Sequence, residues 1–122
     1  VLFVDDVVAS RDFFRRLGFD VLVEIPEDDR VGFSLLQKDD VQLMVETRGN
    51  ANEPAALRAL SRESRLAVVF VEVDDLDAVI GALGDAKIAV ERHTTFYHAD
   101  EITYEEPGGN LVTFAKMDRP AP

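Results

Sequence analysis

Apolar and polar residues follow one pattern along this chain, and the pattern occurs twice. In residues 1–18 and again in 68–84, an apolar run rich in β-branched side chains is followed by an Asp-Asp pair and then by apolar residues at helical spacing. The run predicts a strand, and the spacing after it predicts a helix. The corresponding positions, first copy before second, are Leu2, Val4, Asp5, Asp6, Val7 and Ala9, then Val71, Val73, Asp74, Asp75, Leu76 and Ala78. The chain is therefore a twofold internal repeat.

Both Asp-Asp pairs stand at the start of a predicted helix. The second Asp of each pair, Asp6 or Asp75, is placed to cap the helix, because its carboxylate can accept a hydrogen bond from a free amide of the first turn. Ser10 is a second choice for the cap of the first helix. We interpret both pairs as caps rather than as metal ligands.

Three more predicted strands complete each copy, which gives the order βαβββ. The first copy has predicted strands over 1–5, 19–25, 31–37 and 41–46 and a helix over 8–17. The second has predicted strands over 67–73, 87–92, 98–105 and 110–116 and a helix over 76–84. Pro and Gly residues predict turns at 26–29 and 106–110. We divide this single domain into module one (1–46), a connector (47–66), module two (67–116) and a tail (117–122).

The connector differs in composition from the two modules. Residues 48–52 are typical of a loop, and Pro54 can begin a short helix. Leu57, Leu60 and Leu66 recur at helical spacing, so we expect them to face inward and to cover part of the core.

Length and composition favour one domain with a substantial core. The chain has 122 residues, of which 47% are apolar. It has no cysteine, which excludes disulfides and thiolate chemistry and suits a reducing compartment, so we predict a cytoplasmic location. No apolar run approaches the roughly 20 residues that span a bilayer, and no signal peptide is recognisable. Because the chain begins at Val1 rather than Met, we expect a few residues to precede it.

The charge balance argues against an anionic partner. Twenty-four acidic and 13 basic residues leave a net charge of −11. This charge repels nucleic acids and anionic membrane surfaces, so we predict neither as a partner. A cationic small molecule would be favoured electrostatically.

Three stretches of the chain carry a resemblance to a known superfamily. They are FVDDVVASRDFFRRLGF near the start, FVEVDDLDAV in the second copy and EITYEEPGGNLVTF near the end. With the paired βαβββ order, they resemble the vicinal oxygen chelate superfamily, which includes glyoxalase I, bleomycin-resistance proteins, fosfomycin-resistance enzymes and extradiol dioxygenases. The resemblance implies an α+β fold in which two modules form a curled mixed sheet, or cup, around a central cavity. It leaves the function open, because this fold hosts several chemistries and also pure binding proteins.

Metal-dependent members of that superfamily place one ligand on the first and one on the last strand of each module. Carried over to this chain, the first position would precede Val1, and the other three are Met44, Val68 and Thr113. Valine has no donor atom, a thioether suits hard or borderline ions poorly, and a lone hydroxyl binds weakly. The resemblance therefore points to the metal-free, bleomycin-resistance-like branch, and we predict no metal and no other cofactor.

Strand alternation predicts which side chains face the cavity, once the other face of each strand is assigned to the helices. These side chains are Phe3, Asp5, Gln42, Met44, Glu46, Phe70, Glu72, Leu111 and Thr113. The resemblance adds Tyr97, from a loop that often rims the cavity in the family, and Glu101, at the place of a carboxylate that recurs in metal-free relatives. Together they predict an apolar, aromatic and acidic ligand-binding wall.

This wall suits a flat or hydrophobic small molecule that carries positive charge. The glutamates could equally pair with arginines across a subunit interface or face water. For catalysis, the candidates are Glu72, Glu101 and His98. His98 and Glu101 would lie on opposite faces of a regular strand, which favours exposed loop histidines at 93 and 98 over catalytic ones.

Two classes of function remain open. The first is a metal-free binding protein that sequesters a cationic aromatic or antibiotic-like ligand. The alternative is a lyase, isomerase or dioxygenase of the same superfamily, metal-dependent or metal-free, with unusual site residues. A domain that serves only assembly is a third reading. In each case we expect a homodimer, because modules of this kind leave strand edges and open faces that pairing buries.

Overall fold

The computed structural model describes residues 1–63 and 66–117. Within them the chain forms eight strands and three helices, as expected for an α+β fold. The strands are β1 (Leu2–Val4), β2 (Asp20–Glu27), β3 (Arg30–Lys38), β4 (Val41–Thr47), β5 (Val68–Glu72), β6 (Ile88–Thr94), β7 (Ala99–Glu105) and β8 (Leu111–Met117). The helices are α1 (Val7–Arg15), α2 (Ala55–Arg62) and α3 (Leu76–Leu83). The predicted tail beyond Met117 lies outside the described residues.

The chain divides into two compact units between Leu66 and Ala67, with the turn Pro107–Gly109 grouped with the first unit. Each unit contains one four-stranded mixed sheet, in the order β1-β4-β3-β2 in the first and β5-β8-β7-β6 in the second. The first and last strands of each unit pair in parallel, and the other neighbouring strands are antiparallel. The two sheets have the same topology, so the predicted twofold repeat is confirmed, and neither sheet closes into a barrel.

Two helices begin where the repeat predicts. Asp6 Oδ1 accepts a hydrogen bond from Ala9 N at 3.2 Å, and Asp75 Oδ1 accepts one from Ala78 N at 3.0 Å. Both predicted N-caps are therefore confirmed. Ser10, the second choice, lies inside α1 and is buried.

The two capped helices cover one face of their unit's sheet. α1 buries Phe13 and Phe14 and contacts β3 and β4, whereas α3 buries Leu76 and Leu83 and contacts β8. The candidate site residues that lie in strands alternate with the core residues and belong to the opposite face of each sheet. Among the described residues, no helix combines the length and the hydropathy that crossing a membrane requires.

β2 is longer than predicted, and the turn after it is shorter. The sequence predicts a strand that ends at Ile25, whereas β2 continues through Pro26 to Glu27. Proline is tolerated there because β2 is an edge strand, and the register with β3 shifts between Ile25 and Pro26. Asp28 then turns the chain with a φ of 57°. As a result, Glu27 belongs to the sheet rather than to a loop.

The connector does contain a helix, α2, but the prediction that its leucines face inward is wrong. Leu57, Leu60 and Leu66 are 37%, 68% and 54% exposed. The buried residue of α2 is Ser61, whose Oγ accepts a hydrogen bond from Gly49 N at 2.8 Å. The side of α2 that faces the rest of its unit is therefore the side with this polar contact, not the side with the leucines.

The turn between β7 and β8 is built around the buried side chain of Asn110. Its Oδ1 accepts a hydrogen bond from Ala67 N at 2.7 Å, and its Nδ2 donates to Glu106 Oε1 at 2.9 Å. Its backbone N also donates to Glu106 Oε1, at 3.1 Å. Gly109 has a φ of 90°, in the left-handed region that glycine allows. Asn110 thus ties this turn to the residue before β5 and aligns the parallel pair of β5 and β8.

Candidate functional site

The face of the first sheet that is turned away from α1 carries Glu46 between two aromatic side chains. Glu46 pairs in register with Phe3 of β1 and with Phe33 of β3, so the three side chains form one row across the sheet. Met44 pairs with Leu35 and begins the next row on the same face. Glu46 is only 5% exposed. A carboxyl group is therefore buried in a mainly apolar sheet face.

Glu46 also lies among other carboxyl groups. The charges of Glu53 in the connector and of Glu27 in β2 both act on it. Burial and the charges of Glu53 and Glu27 raise the pKa of Glu46 to about 7. Glu46 can therefore hold a proton near neutral pH.

Glu27, by contrast, is held in its ionised form by three donors. Its Oε1 accepts hydrogen bonds from Thr47 Oγ1 at 2.8 Å and from Arg30 Nη2 at 3.2 Å, and its Oε2 accepts one from Ala51 N at 2.6 Å. Burial acts to raise the pKa of Glu27, but these hydrogen bonds and the charge of Arg30 outweigh burial and lower the pKa. Sequence reasoning placed neither Glu27 nor Glu53 at the site, because each adjoins a proline in a segment that predicts a turn or loop.

Two other residues predicted for this site are exposed and engaged at the surface. Asp5 forms an ion pair with Arg48 at 3.8 Å. Gln42 Nε2 donates a hydrogen bond to Gln37 Oε1 at 3.2 Å. Of the five residues predicted in the first unit, the register thus brings Phe3 into one row with Glu46, and places Met44 one row away.

The corresponding face of the second sheet carries five of the predicted site residues. Strand register forms three rows: Phe70 with Thr113 and Thr103; Glu72 with Ala115, Glu101 and His93; and Val68 with Leu111 and Glu105. Thr113 Oγ1 and Thr103 Oγ1 share a hydrogen bond of 2.8 Å. The middle of this face is therefore made of small side chains. Phe70 and Glu72 lie to one side of it on β5, and Glu101 lies to the other side on β7.

The loop between β6 and β7 brings Tyr97 to Glu101. Tyr97 Oη donates a short hydrogen bond to Glu101 Oε2. This hydrogen bond, with a smaller contribution from burial, raises the pKa of Tyr97, so the phenol stays a donor at neutral pH. Glu101 is 6% exposed, whereas Phe96, whose ring meets that of Tyr97 edge to face at 5.0 Å, is 93% exposed. The loop therefore presents two aromatic rings beside a buried carboxylate.

The histidine that stands opposite Glu101 is His93, not the predicted candidate His98. The sequence predicts a strand from residue 98, but β7 begins at Ala99, and His98 lies in the preceding turn with a φ of 63°. β6 extends through His93, which pairs in register with Glu101. His93 Nδ1 donates to Glu91 O at 2.9 Å, which leaves Nε2 as an acceptor when the ring is neutral. Sequence reasoning missed His93 because the predicted strand ends at residue 92.

Comparison with known proteins identifies a family and several similar structures. The sequence model of the Glyoxalase/Bleomycin resistance protein/Dioxygenase superfamily matches residues 1–114. Comparison with curated protein sequences returned no match. The structure of TioX from Micromonospora sp. ML1 is similar, with a TM-score of 0.73 and 20% identity over 94% of this chain and 93% of that chain.

Two further solved structures represent different activities. The lactoylglutathione lyase from Agrobacterium tumefaciens has a TM-score of 0.71 and 16% identity, over 94% of this chain and 88% of that chain. A bleomycin-binding protein complexed with bleomycin has a TM-score of 0.66 and 16% identity, over 96% of this chain and 94% of that chain. At such identities the similarity concerns the fold, and the fold serves both a lyase and a ligand-binding protein.

The residues at the superfamily's metal-ligand positions do not fit a divalent metal. Val68 is an aliphatic side chain, Met44 offers only a thioether, and the hydroxyl of Thr113 is bonded to Thr103. In residues 1–63 and 66–117, no three His, Cys, Asp or Glu side chains are grouped so that they could hold a metal ion.

Proposed function

We propose a function for this chain, which belongs to the glyoxalase/bleomycin resistance protein/dioxygenase superfamily. It is a metal-free binding protein that sequesters a cationic aromatic or antibiotic-like small molecule. The observation that carries this proposal is the buried carboxylate of Glu101 in the second unit. It accepts a hydrogen bond from Tyr97 and shares a sheet face with the half-exposed ring of Phe70.

Burial makes Glu101 a strong partner for a cation. A carboxylate that has lost most of its water is stabilised by a charge-assisted hydrogen bond more than an exposed one is. Phe70 is 53% exposed and offers a ring face for stacking and for a cation–π contact. The net charge of −11 attracts cations to the surface as a whole. These features together favour a flat ligand with positive charge.

The metal-free part of the proposal is tested by calorimetry. The purified protein is stripped with a chelator and titrated with Ni²⁺, Zn²⁺ and Mn²⁺. We expect no saturable binding, because the side chains of Met44, Val68 and Thr113 are poor ligands. Binding of one metal per chain with submicromolar affinity would show that the ligand positions are assigned wrongly.

Ligand binding is tested with a matched pair of probes, the cation 9-aminoacridine and its neutral relative acridone, with bleomycin as a third probe. We expect 9-aminoacridine to bind more tightly than acridone. Glu101→Gln keeps the shape of the side chain but removes its charge, and it should weaken binding of the cation by about tenfold or more, as expected for a hydrogen bond to a charged group. Tyr97→Phe removes the hydrogen bond from the loop to Glu101 but keeps the charge of Glu101, so its affinity for the cation shows how much the loop contact contributes.

The control for this experiment is Glu91→Gln, which makes the same charge change on the neighbouring strand. Glu91 acts electrostatically on Tyr104, whose buried ring packs against Phe114 in the core of the unit. Equal affinity for both acridines, or equal losses in Glu101→Gln and Glu91→Gln, would remove Glu101 from the binding mechanism.

A second candidate function, a metal-free isomerase or lyase, is favoured by Glu46. A carboxyl group that titrates near pH 7 can both take and return a proton, which general acid–base catalysis requires. The test follows formation of S-lactoylglutathione from methylglyoxal and glutathione by the metal-stripped protein. Turnover that disappears in Glu46→Gln would support this candidate. If the wild type shows no turnover above the background rate, this lyase activity is excluded and the binding function is retained.

We also propose a cytoplasmic homodimer. The seven residues of β6 are exposed along an edge strand, which is a surface that pairing with a second copy could cover. Sedimentation at several concentrations tests this, and a mass that stays at one chain throughout would contradict it. The absence of cysteine suits the reducing cytoplasm.

A further inference from the structure

Two threonine hydroxyls lie side by side in the centre of the candidate ligand-binding face of the second unit. Thr113 of β8 and Thr103 of β7 pair in register on the two inner strands of the sheet, and their Oγ1 atoms share a hydrogen bond of 2.8 Å. Thr103 is 7% exposed and Thr113 is 9% exposed. We call these two groups the hydroxyl pair. Because they are buried, each of their hydrogen-bonding groups that stays unsatisfied has an energetic cost.

The mutual hydrogen bond of the hydroxyl pair uses only one of its two protons. Each hydroxyl has one proton to donate and two lone pairs that accept, so whichever hydroxyl donates across the pair, the O–H of the other still needs an acceptor. Within residues 1–63 and 66–117, neither hydroxyl has a second hydrogen-bond partner. The hydroxyl pair can therefore donate one hydrogen bond to a molecule that lies on this face.

Apolar side chains flank the hydroxyl pair on both sides. Phe70 of β5 pairs with Thr113, and Val90 of β6 pairs with Thr103, so the four residues form one row across the sheet. Phe70 is 53% exposed and Val90 is 46% exposed. A flat molecule that covers this row displaces water from both apolar side chains and from the hydroxyls between them. If that molecule has no acceptor, it leaves a buried O–H unsatisfied, which weakens its binding.

Glu101 lies at a defined distance from the hydroxyl pair. It precedes Thr103 by two residues on β7, and two residues along a strand span about 7 Å on the same face. The residue beside Glu101 on β8 is Ala115, so no large side chain of β8 separates the carboxylate from the hydroxyls. A positive group bound at Glu101 and an acceptor bound at the hydroxyl pair would therefore lie about 7 Å apart.

We infer that the hydroxyl pair determines which cations bind, by selecting an aromatic cation with an uncharged acceptor, such as a carbonyl oxygen, about 7 Å from its positive group. Glu101 binds the positive group, Phe70 contacts the ring, and the hydroxyl pair donates to the oxygen. Thr103, which strand alternation on the flanking strands did not indicate, is then a specificity-determining residue. This role rests on the proposed binding function and names the class of ligand for that same site.

The test compares two amines of the same shape, 4-acetylbenzylamine and 4-isopropylbenzylamine, by amide NMR titration of the full chain. Both carry an ammonium group. The acetyl group of the first places a carbonyl oxygen at the required distance, whereas the isopropyl group of the second has no acceptor. We expect the ketone to bind about tenfold more tightly, because the apolar amine leaves a hydroxyl proton unsatisfied. Shifts of the amide signals of Thr103 and Thr113 would locate the binding on this face.

Replacement of both threonines by valine keeps the shape of the side chains and removes both hydroxyls. In Thr103→Val/Thr113→Val the ketone should lose its advantage. The apolar amine should bind this variant at least as tightly as it binds the wild type, which also shows that the variant is folded. The matched control is Thr103→Ser/Thr113→Ser, which keeps both hydroxyls and should keep the preference. Glu101→Gln should weaken both amines by a similar factor and leave their ratio unchanged.

Failure of the hydroxyl pair and failure of the binding function give different results. Equal affinity of the wild type for the two amines, with both weakened in Glu101→Gln, overturns the role of the hydroxyl pair and leaves the binding function in place. A preference for the ketone that persists in Thr103→Val/Thr113→Val also overturns this role. If neither amine nor 9-aminoacridine shifts the amide signals of the second sheet, the binding function fails, and the role of the hydroxyl pair fails with it.

Discussion

Replacement of Asn110 by Ala should be among the most destabilising substitutions of a polar residue in this protein. The side chain makes two hydrogen bonds, to Ala67 N at 2.7 Å and to Glu106 Oε1 at 2.9 Å, and Asn110 is only 2% exposed. Each hydrogen bond contributes about 1 kcal/mol, and the buried N–H of Ala67 left without an acceptor costs about 1–3 kcal/mol. We therefore expect the free energy of unfolding to fall by about 3 kcal/mol.

Urea unfolding at 25 °C and pH 7 measures this change. With a slope of about 2 kcal/mol per molar urea, the midpoint should fall by roughly 1–2 M. Asn52→Ala is the matched control, because Asn52 Nδ2 donates to Pro26 O at 3.1 Å in an exposed position. Its loss should cost less than about 1 kcal/mol.

A third variant, Asn110→Asp, separates the hydrogen bonds from the packing. The carboxylate keeps an acceptor for Ala67 N but faces the carboxylate of Glu106. It should be at least as destabilising as Asn110→Ala at pH 7 and should recover stability in acid, where one carboxyl group is protonated. The reasoning is refuted if Asn110→Ala costs no more than Asn52→Ala, or if Asn110→Asp does not respond to pH.

Four further predictions can be checked by the same unfolding measurements. Gly32→Ala should destabilise the protein by about 1–3 kcal/mol, because a Cβ there would lie 2.5 Å from the Cβ of Glu27. Gly81→Ala, with open space around the new methyl inside α3, should instead stabilise it by about 0.5–1 kcal/mol. Asp75→Ala removes the cap of α3 and should cost about 1 kcal/mol. Because the pKa of Glu46 is raised to about 7 in the folded protein, its protonation stabilises the fold fully below pH 4.5, by up to about 3 kcal/mol. This stabilisation is lost as the pH rises through about 7. In Glu46→Gln the free energy of unfolding should therefore vary less with pH over this range.

Local patterns were enough to predict the elements and their repetition. The caps at Asp6 and Asp75 and the turn before Asn110 depend on residues within one turn of each other, and such signals can be read directly from the sequence. The exposure of Leu57 and Leu60 could not be predicted in this way. Helical spacing shows that a helix has an apolar side, but the face that becomes buried depends on what the rest of the unit offers it.

The candidate site was predictable only where the strands are regular. The alternation along β5 and β8 puts Phe70 and Thr113 on one face, and the two residues pair in register because no bulge interrupts these strands. In β6 the register shifts between Val90 and His93, and such a shift changes the face of every later side chain. The effect of Glu53 on the pKa of Glu46 links a loop to a strand, and no periodic pattern connects two such positions.

The parallel pairing of the first and last strand has a consequence for how each unit folds. Leu2 pairs with Val45, and Val68 pairs with Leu111, at the same separation along the chain. During synthesis β1 therefore emerges long before its partner, and its loop-closure entropy is overcome only when β4 is complete. The same delay then applies to β5 and β8. Each unit should assemble last at its parallel seam. Until then β5 exposes the apolar side chains of Val68 and Phe70, and a chaperone would be expected to bind there.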